Sequence, residues 1–202
     1  MITQLFSTPL YNSSFIRDFN KEEIKVYKSI NKEYRRNILN LIGKSNRVLD
    51  EQSSFSEIRE FIQVHLNQFT FQVYGMKRKQ NINITTSWLN LTKPGMAHHH
   101  HTHPNSFISG VFYFETIPND SIVFTSSEKN GSYLRFTPAP QTFFNDSCTV
   151  NVHNGTLLLF PSWLRHEVPV NKSKKNRISL SFNTYPSGNL LVNEDISNLE
   201  IK

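Results

Sequence analysis

Two segments in the first 80 residues carry apolar side chains at the spacing of an amphipathic helix. The first begins after a candidate cap, Asn20, and we expect Gly43 to end it. Its apolar positions recur every three or four residues, at Tyr27, Ile30, Tyr34, Ile38 and Leu41. The second runs from Ser56 to about Tyr74, with His65 beside its apolar face. A lone histidine in that place indicates ordinary helix packing.

From residue 82 onward, polar and apolar residues alternate with the period of a β-strand. The segments with this period are ITTSWLNL, SGVFYFETI, SIVFTS, TLLLF and RISLSFNTY. Turn-forming residues separate them, among them Lys93-Pro94-Gly95, Pro118-Asn119-Asp120 and Asn154-Gly155. This spacing predicts a mainly β sandwich or barrel with helices packed outside. We expect one domain, in which residues 1–80 form a helical region packed on a core of residues 81–202.

The composition is that of a globular chain and excludes a disordered one. Hydrophobic residues make up 37% of the 202 residues, and aromatic residues make up 12%. The single cysteine, Cys148, cannot form an internal disulfide, which is usual for a reducing compartment. The first residues lack the pattern of a secretory signal, and no stretch has the length of a membrane span. We therefore expect a soluble, cytoplasmic protein without a membrane partner.

The charge of the chain changes this picture only slightly. Lys and Arg number 22 against 16 Asp and Glu, which gives a net charge of +6. This excess favours an anionic ligand, but it does not by itself indicate nucleic acid, which stays open as a partner. The basic stretch of residues 172–177 fits a solvated hairpin loop better than a binding surface.

The histidines give the first indication of chemistry. Five of the eight histidines lie in the stretch HHHHTH at residues 98–103, and His166 follows a strand and a turn further along. Residues two apart on a strand point to the same face, so His101 and His103 can share one cavity. Imidazole binds iron, copper, nickel and zinc. His98, His99 and His100 cannot all join them, and an exposed polar tract remains the alternative for the run.

Arg177 opens the strand-like segment RISLSFN, eleven residues after His166. Alternation places Arg177, Ser179, Ser181 and Asn183 on one face, and it places the apolar residues of the segment on the other. An arginine that shares a face with metal ligands can bind a carboxylate with two hydrogen bonds. A surface arginine on an edge strand is the alternative.

Together these residues resemble the Fe(II)- and 2-oxoglutarate-dependent oxygenases. The motifs of one branch of that superfamily are W-x-N, H-x-H-P, S-G-V-x-Y, L-F-P-S-W-x-x-H-x-V and R-I-S-x-S-F-N. In this chain they stand at Trp88 and Asn90, residues 101–104, residues 109–113, residues 159–168 and residues 177–183. The resemblance covers residues 82–185 and extends only loosely into the helical part.

The resemblance implies a double-stranded β-helix, or jelly roll, with Fe(II) bound between its two sheets. His101 and His166 would take the places of the family's two histidine ligands. Arg177 would hold the distal carboxylate of 2-oxoglutarate, with help from Ser179 and Tyr113. The implied reaction hydroxylates an organic or protein substrate with O₂ and releases succinate and CO₂.

The chain departs from the wider superfamily at His103, where most members have Asp or Glu. Three neutral imidazoles would leave the iron with one negative charge fewer. Either His103 is the third ligand, or it lies behind the ligands and a carboxylate such as Glu115 or Asp146 reaches the metal. We favour His103, because it lies on the same strand face as His101.

Two other functions remain open at this point. The first is a cupin-type dioxygenase with three histidine ligands and no need for 2-oxoglutarate, because Gly95 and Pro161 partly match cupin motifs. The cupin pattern, however, gives Arg177 no role. The second is a jelly-roll binding module without enzymatic activity. The sequence does not identify a substrate or an oligomeric state.

Overall fold

The computed structural model describes residues 7–76, 80–126, 146–190 and 198–201. Its helices are α1 (Lys21–Lys28), α2 (Val48–Glu51) and α3 (Ser56–Tyr74), with 3₁₀ turns at Ser29–Asn31 and Ser53–Phe55. Its strands are β1 (Tyr11–Ser14), β2 (Arg35–Arg36), β3 (Leu41–Ile42), β4 (Gln80–Thr92), β5 (His98–His101), β6 (Ile108–Glu115), β7 (Ser121–Thr125), β8 (Ser147–Asn151), β9 (Thr156–Pro161), β10 (Arg165–Val168), β11 (Arg177–Asn189) and β12 (Glu200–Ile201).

The strands form two antiparallel sheets. The larger has the order β1-β9-β6-β11-β4-β3-β2, with β12 also paired to β11, and the smaller has the order β5-β10-β7-β8. This arrangement confirms the predicted mainly β fold, a double-stranded β-helix. The N-terminal region contributes β1, β2 and β3 to the larger sheet in addition to its helices.

Two hydrophobic cores lie on opposite faces of the larger sheet. One lies under the helices and contains Ile178, Leu180 and Phe182 of β11 together with residues of α3. The other lies between the sheets and joins residues of β6 and β9 to residues of β7. The alternation of β11 therefore sends its apolar side chains toward the helices and leaves its other face for the space between the sheets.

Helix α1 begins where the sequence predicts but ends much earlier. The Asn20 side chain accepts hydrogen bonds from the backbone N–H groups of Glu22 and Glu23, and the Glu23 carboxylate accepts from the Asn20 N–H. This reciprocal cap fixes the start. The predicted continuation to Gly43 is wrong, because the chain turns into the β2–β3 hairpin and β3 pairs with β4.

The exposure of the helical-looking positions shows why that prediction failed. Tyr27 and Ile30 are buried, but Ile38 is 64% exposed and Tyr34 is 38% exposed. Leu41 is buried through its pairing with Leu91. The apolar spacing therefore matches a helix over the whole segment. Only its first residues are buried in the capped helix, and Leu41 is buried because its strand pairs with β4.

Helix α3 spans the residues predicted for it, Ser56–Tyr74, and ends at Gly75 in the left-handed conformation. Its buried face contains Ile58, Ile62 and Leu66. His65 lies beside that face, where Tyr11 Oη lies 2.7 Å from its Nδ1 and Ser13 Oγ lies 3.2 Å from its Nε2. His65 therefore packs β1 against α3, in agreement with the structural role expected for it. No helix in the described ranges is long and apolar enough to cross a membrane.

Candidate metal centre

Strand pairing in the smaller sheet brings the distant histidines together. Strand β10 runs antiparallel to β5, and the register pairs His166 with His101. His103 follows the end of β5, where its backbone N–H donates to Ser162 O at 3.0 Å. His103 is 8% exposed and His166 is 3% exposed. Three imidazoles from two strands and a loop thus meet between the sheets.

The ring nitrogens of this triad converge on one point. The candidate ligand atoms of His101, His103 and His166 all lie within 4.8 Å of one another. The Nε2 atoms of His103 and His166 are 3.2 Å apart. Metal–nitrogen bonds of about 2.1 Å at angles between about 90° and 110° place neighbouring ligand nitrogens about 3.0 to 3.4 Å apart. The observed separation fits two ligands of one metal ion.

Hydrogen bonds at the other ring nitrogen set the tautomer of each histidine. Nδ1 of His101 lies 2.7 Å from His99 O, and Nδ1 of His166 lies 2.9 Å from Leu164 O. Nδ1 of His103 lies 2.7 Å from Asn183 Oδ1. Carbonyl oxygens only accept, so each Nδ1 carries the hydrogen and each Nε2 presents a lone pair. Two such lone pairs at 3.2 Å repel each other unless a cation lies between them.

The environment also keeps the triad uncharged. Burial, reinforced by the neighbouring imidazoles, lowers the pKa of His103 to about 4 and that of His166 to about 3. Burial also lowers the pKa of His101. All three are neutral near pH 7, as a metal ligand must be. This donor set fits Fe(II) and other divalent transition metals that accept imidazole.

The two acids considered as alternative ligands lie elsewhere. Glu115 contacts Lys28 Nζ at 3.2 Å and accepts a 3.4 Å hydrogen bond from Tyr27 Oη, on the side of the helices. Asp146 is exposed, and its backbone oxygen accepts from Ser126 N. Within the described ranges, the convergent groups of three or more potential metal ligands contain histidines only.

A narrow cavity between the sheets adjoins the triad. His101 and His166 line it together with Tyr113, Arg177 and Ser179. Arg177 and Tyr113 are buried, and the Arg177 guanidinium carbon lies 5.0 Å from the Tyr113 ring centroid. The strand face predicted for Arg177 and Ser179 therefore borders the same cavity as the histidines.

Two buried donors at this cavity lack a hydrogen-bond partner in the described part of the chain. They are Arg177 Nη2 and Tyr113 Oη. Burial raises the pKa of Tyr113 to about 12, so its hydroxyl stays protonated and can donate. A buried guanidinium edge and a hydroxyl without acceptors form a favourable site for a carboxylate.

The rest of the histidine run packs around the triad. The His98 ring stacks on His101 with centroids 4.4 Å apart and lines the same cavity. His98 and His99 form a second convergent group with His101. His100 is exposed. As the sequence predicts, the whole run does not enter the triad.

Two residues of this site were missed as contributors by sequence reasoning. Asp120 Oδ2 accepts a 3.0 Å hydrogen bond from Arg177 Nε, although the sequence marks Asp120 only as a turn residue. Asn183 orients His103, and strand alternation placed it on the correct face without indicating that role. Both contacts join residues more than 50 positions apart, so no local sequence pattern indicates them.

Comparison with known families shows which proteins share the sequence around this site. Residues 86–183 match the family model described as "Putative 2OG-Fe(II) oxygenase". The matched segment contains the three histidines, Arg177 and Tyr113. Over this segment, just under half of the chain, the protein is similar to the 2OG-Fe(II) oxygenases. The family so described consists of non-haem iron oxidoreductases that use Fe(II) and 2-oxoglutarate, and the histidine triad, Arg177 and Tyr113 offer donors of the kind that these two groups need. No curated protein matches the chain in sequence.

Solved structures of 2OG-Fe(II) oxygenases share this fold at low identity. HygX from Streptomyces hygroscopicus, solved with nickel, 2-oxoglutarate and hygromycin B, is 12% identical with a TM-score of 0.55, and the match covers 88% of this chain and 82% of that one. A prolyl-4-hydroxylase from Pseudomonas putida is 14% identical with a TM-score of 0.53, covering 88% and 93%. The epimerase SnoN from nogalamycin biosynthesis is 9% identical with a TM-score of 0.61, covering 88% and 78%. Such identities show the fold and leave the substrate open.

Proposed function

We propose that the protein hydroxylates an organic or protein substrate in a reaction coupled to 2-oxoglutarate. One atom of O₂ enters a C–H bond of the substrate, and the other enters the succinate formed when 2-oxoglutarate loses CO₂. The observation that carries this proposal is the convergence of three imidazole Nε2 atoms with the free donors of Arg177 and Tyr113 on one cavity.

In this proposal His101, His103 and His166 hold Fe(II) through their Nε2 atoms. Their Nδ1 hydrogen bonds fix the ring orientations before the metal binds, which favours affinity and geometry. When bound, Fe(II) supplies the position at which O₂ is activated, and 2-oxoglutarate supplies electrons for that reaction.

Arg177 and Tyr113 hold the distal carboxylate of 2-oxoglutarate. Arg177 Nη2 and Tyr113 Oη donate to its oxygens, and the positive charge of Arg177 stabilises the anion in a buried site. Ser179 lines the same wall of the cavity. A cofactor held at its far end keeps its keto-acid end directed at the histidine triad.

Aromatic side chains keep water from the centre. Phe160 packs edge-on against the His166 ring with centroids 4.7 Å apart, and Phe124 lies 5.9 Å from the same ring. Both are buried. Exclusion of water strengthens the electrostatic contacts inside the site and prevents side reactions there.

A second candidate function follows from the all-histidine triad. A cupin-type dioxygenase with three histidine ligands would use the same metal centre without 2-oxoglutarate. It leaves Arg177 Nη2 and Tyr113 Oη without an assigned partner, which is why we favour the first function.

Anaerobic addition of Fe(II) and then 2-oxoglutarate to the purified protein tests the proposal. We expect the visible absorption band of the chelated complex in wild type, a weaker band in Arg177→Ala and none in His166→Ala. Arg165→Ala is a matched control, because Arg165 is exposed on the strand that carries His166. Iron binding without a response to 2-oxoglutarate would favour the cupin-type function. Succinate release in the presence of O₂ then identifies substrates, each of which should gain one oxygen atom.

A further inference from the structure

Arg177 is bound on one edge by a buried carboxylate. The side chains of Arg177 and Asp120 are 3% and 2% exposed, and Nε lies 3.0 Å from Oδ2. The guanidinium nitrogen next to Nε on this edge, Nη2, has no partner in the described ranges. Asp120 therefore fixes the cation at Nε, whereas Nη2 keeps a free donor and the guanidinium lies beside Tyr113 at the cavity wall.

Asp120 is itself fixed at the start of β7. Its Oδ1 accepts from Ser121 N at 2.9 Å, and its Oδ2 accepts from Ile117 N at 3.4 Å. The backbone oxygen of Asp120 accepts from Val152 N at 3.0 Å. Because Asp120 directly precedes β7 of the smaller sheet and Arg177 begins β11 of the larger one, this pair links the two sheets beside the cavity.

The charges at the cavity balance only when Asp120 is counted. The histidine triad is neutral, and Arg177 and Asp120 carry the opposite charges of the buried groups described there. Fe(II) with two positive charges and 2-oxoglutarate with two negative charges leave that balance unchanged. A buried guanidinium without a counter-ion would be strongly destabilising. Asp120 thus lets Arg177 stay buried before the cofactor enters.

We propose that Asp120 is a positioning residue for 2-oxoglutarate, acting through Arg177. It neutralises the guanidinium and orients it so that Nη2 and Tyr113 Oη meet the distal carboxylate. This inference rests on the proposed function and deepens it, because it assigns recognition of the second carboxylate to an inter-sheet pair.

Asp120→Asn and Asp120→Ala test the inference. Asparagine has one oxygen where Asp120 uses two, so its amide must face either Ser121 N or Arg177 Nε, both of which are donors. Binding of 2-oxoglutarate is measured by anaerobic calorimetry with Mn(II) in place of Fe(II). Loss of an oriented, charge-assisted contact should raise the Kd of 2-oxoglutarate roughly ten- to hundredfold.

A second ligand separates positioning from general damage. 2-Oxopentanoate has the same carbon chain as 2-oxoglutarate but lacks the distal carboxylate. We expect its Kd to change less than about twofold in either variant, since it makes no contact with Arg177. Added to Arg177→Ala, the Asp120→Ala change should produce no further loss of 2-oxoglutarate affinity. Asp50→Asn, at a more exposed ion pair with Arg47 and Arg59, is the control and should leave both affinities unchanged.

The outcomes distinguish this inference from the proposed function. Wild type that fails to bind 2-oxoglutarate with metal present overturns both. A normal Kd in both Asp120 variants, or equal losses for the two keto acids, overturns the positioning role and leaves the proposed function standing. If Asp120→Asn and Asp120→Ala do not fold, Asp120→Glu keeps the charge and lengthens the side chain. We expect Asp120→Glu to weaken the binding of 2-oxoglutarate but not that of 2-oxopentanoate. An unchanged ratio of the two affinities would overturn the positioning role of Asp120.

Discussion

The Nε2 atoms of His103 and His166 lie 3.2 Å apart, although the two residues are 63 positions apart in the chain. In each ring the Nδ1–H group donates a hydrogen bond to an oxygen, so both facing Nε2 atoms carry lone pairs. Such a pair of acceptors is stable beside a cation and unfavourable without one. This arrangement fits the metal centre proposed above, and without a cation it lowers the stability of the folded chain.

Removal of His103 should abolish tight metal binding. In His103→Ala we expect the affinity for Co(II), used as a spectroscopic probe, to fall by more than the roughly 10- to 100-fold that removal of a ligand's hydrogen-bond partner costs. His153→Ala is the matched control, because His153 is exposed and belongs to neither group of convergent histidines. Unchanged Co(II) affinity in His103→Ala would show that His103 is not a ligand.

Substitutions at Asn183 should change metal affinity in opposite directions. Asn183→Leu removes the acceptor of the His103 Nδ1 hydrogen, and we expect Co(II) affinity to fall roughly 10- to 100-fold. Asn183→Asp places a carboxylate at that hydrogen, which makes the ring more basic and should tighten binding. Competition with a chelator of known affinity measures both. Equal affinities for the two variants would contradict this role of Asn183.

Gly110 should tolerate no side chain, because β6 passes close to an aromatic ring of β11. A Cβ atom at Gly110 would overlap the Phe182 ring, within the core under the helices. We expect Gly110→Ala to lower the free energy of unfolding by about 1–3 kcal/mol or more, measured by urea denaturation. Gly43→Ala is the control, since its new Cβ would meet Leu89 at an ordinary 3.6 Å.

The double variant Gly110→Ala/Phe182→Leu tests the cause of that loss. A smaller side chain at 182 makes room for the new methyl group, so the loss from Gly110→Ala should be smaller in the Phe182→Leu background than in wild type. Losses that simply add would place the strain elsewhere.

Acidification should loosen the packing of β1 on α3 through His65. Burial lowers the pKa of His65 below its ordinary value of about 6.5. The unfolded chain therefore takes up a proton there first, so this contribution to stability is present above pH 6.5 and is lost as the pH falls below it. Between pH 7.5 and pH 5.5 the Tm of wild type should fall further than that of His65→Gln, which does not titrate. Parallel falls would assign the pH dependence to other groups.

The sequence predicts those parts of the structure whose cause is local. Helix α3 spans the predicted residues because a single apolar stripe and a terminal glycine specify it. The two faces of β11 follow from alternation alone, and so does the grouping of Arg177 with Ser179. The resemblance to 2OG-Fe(II) oxygenases rests on motifs of the same short-range kind, and the family match confirms it.

Only the tertiary structure decides which distant residues meet. The apolar spacing after Tyr27 matches a helix, yet Leu41 is buried by pairing with β4. Likewise, Asp120 and Asn183 reach Arg177 and His103 through the register of strands that are far apart in the chain. Periodicity is set by neighbouring residues, whereas strand register is set by the packing of whole sheets. The periodicity can therefore be read directly from one sequence, but the register is visible only in the folded structure.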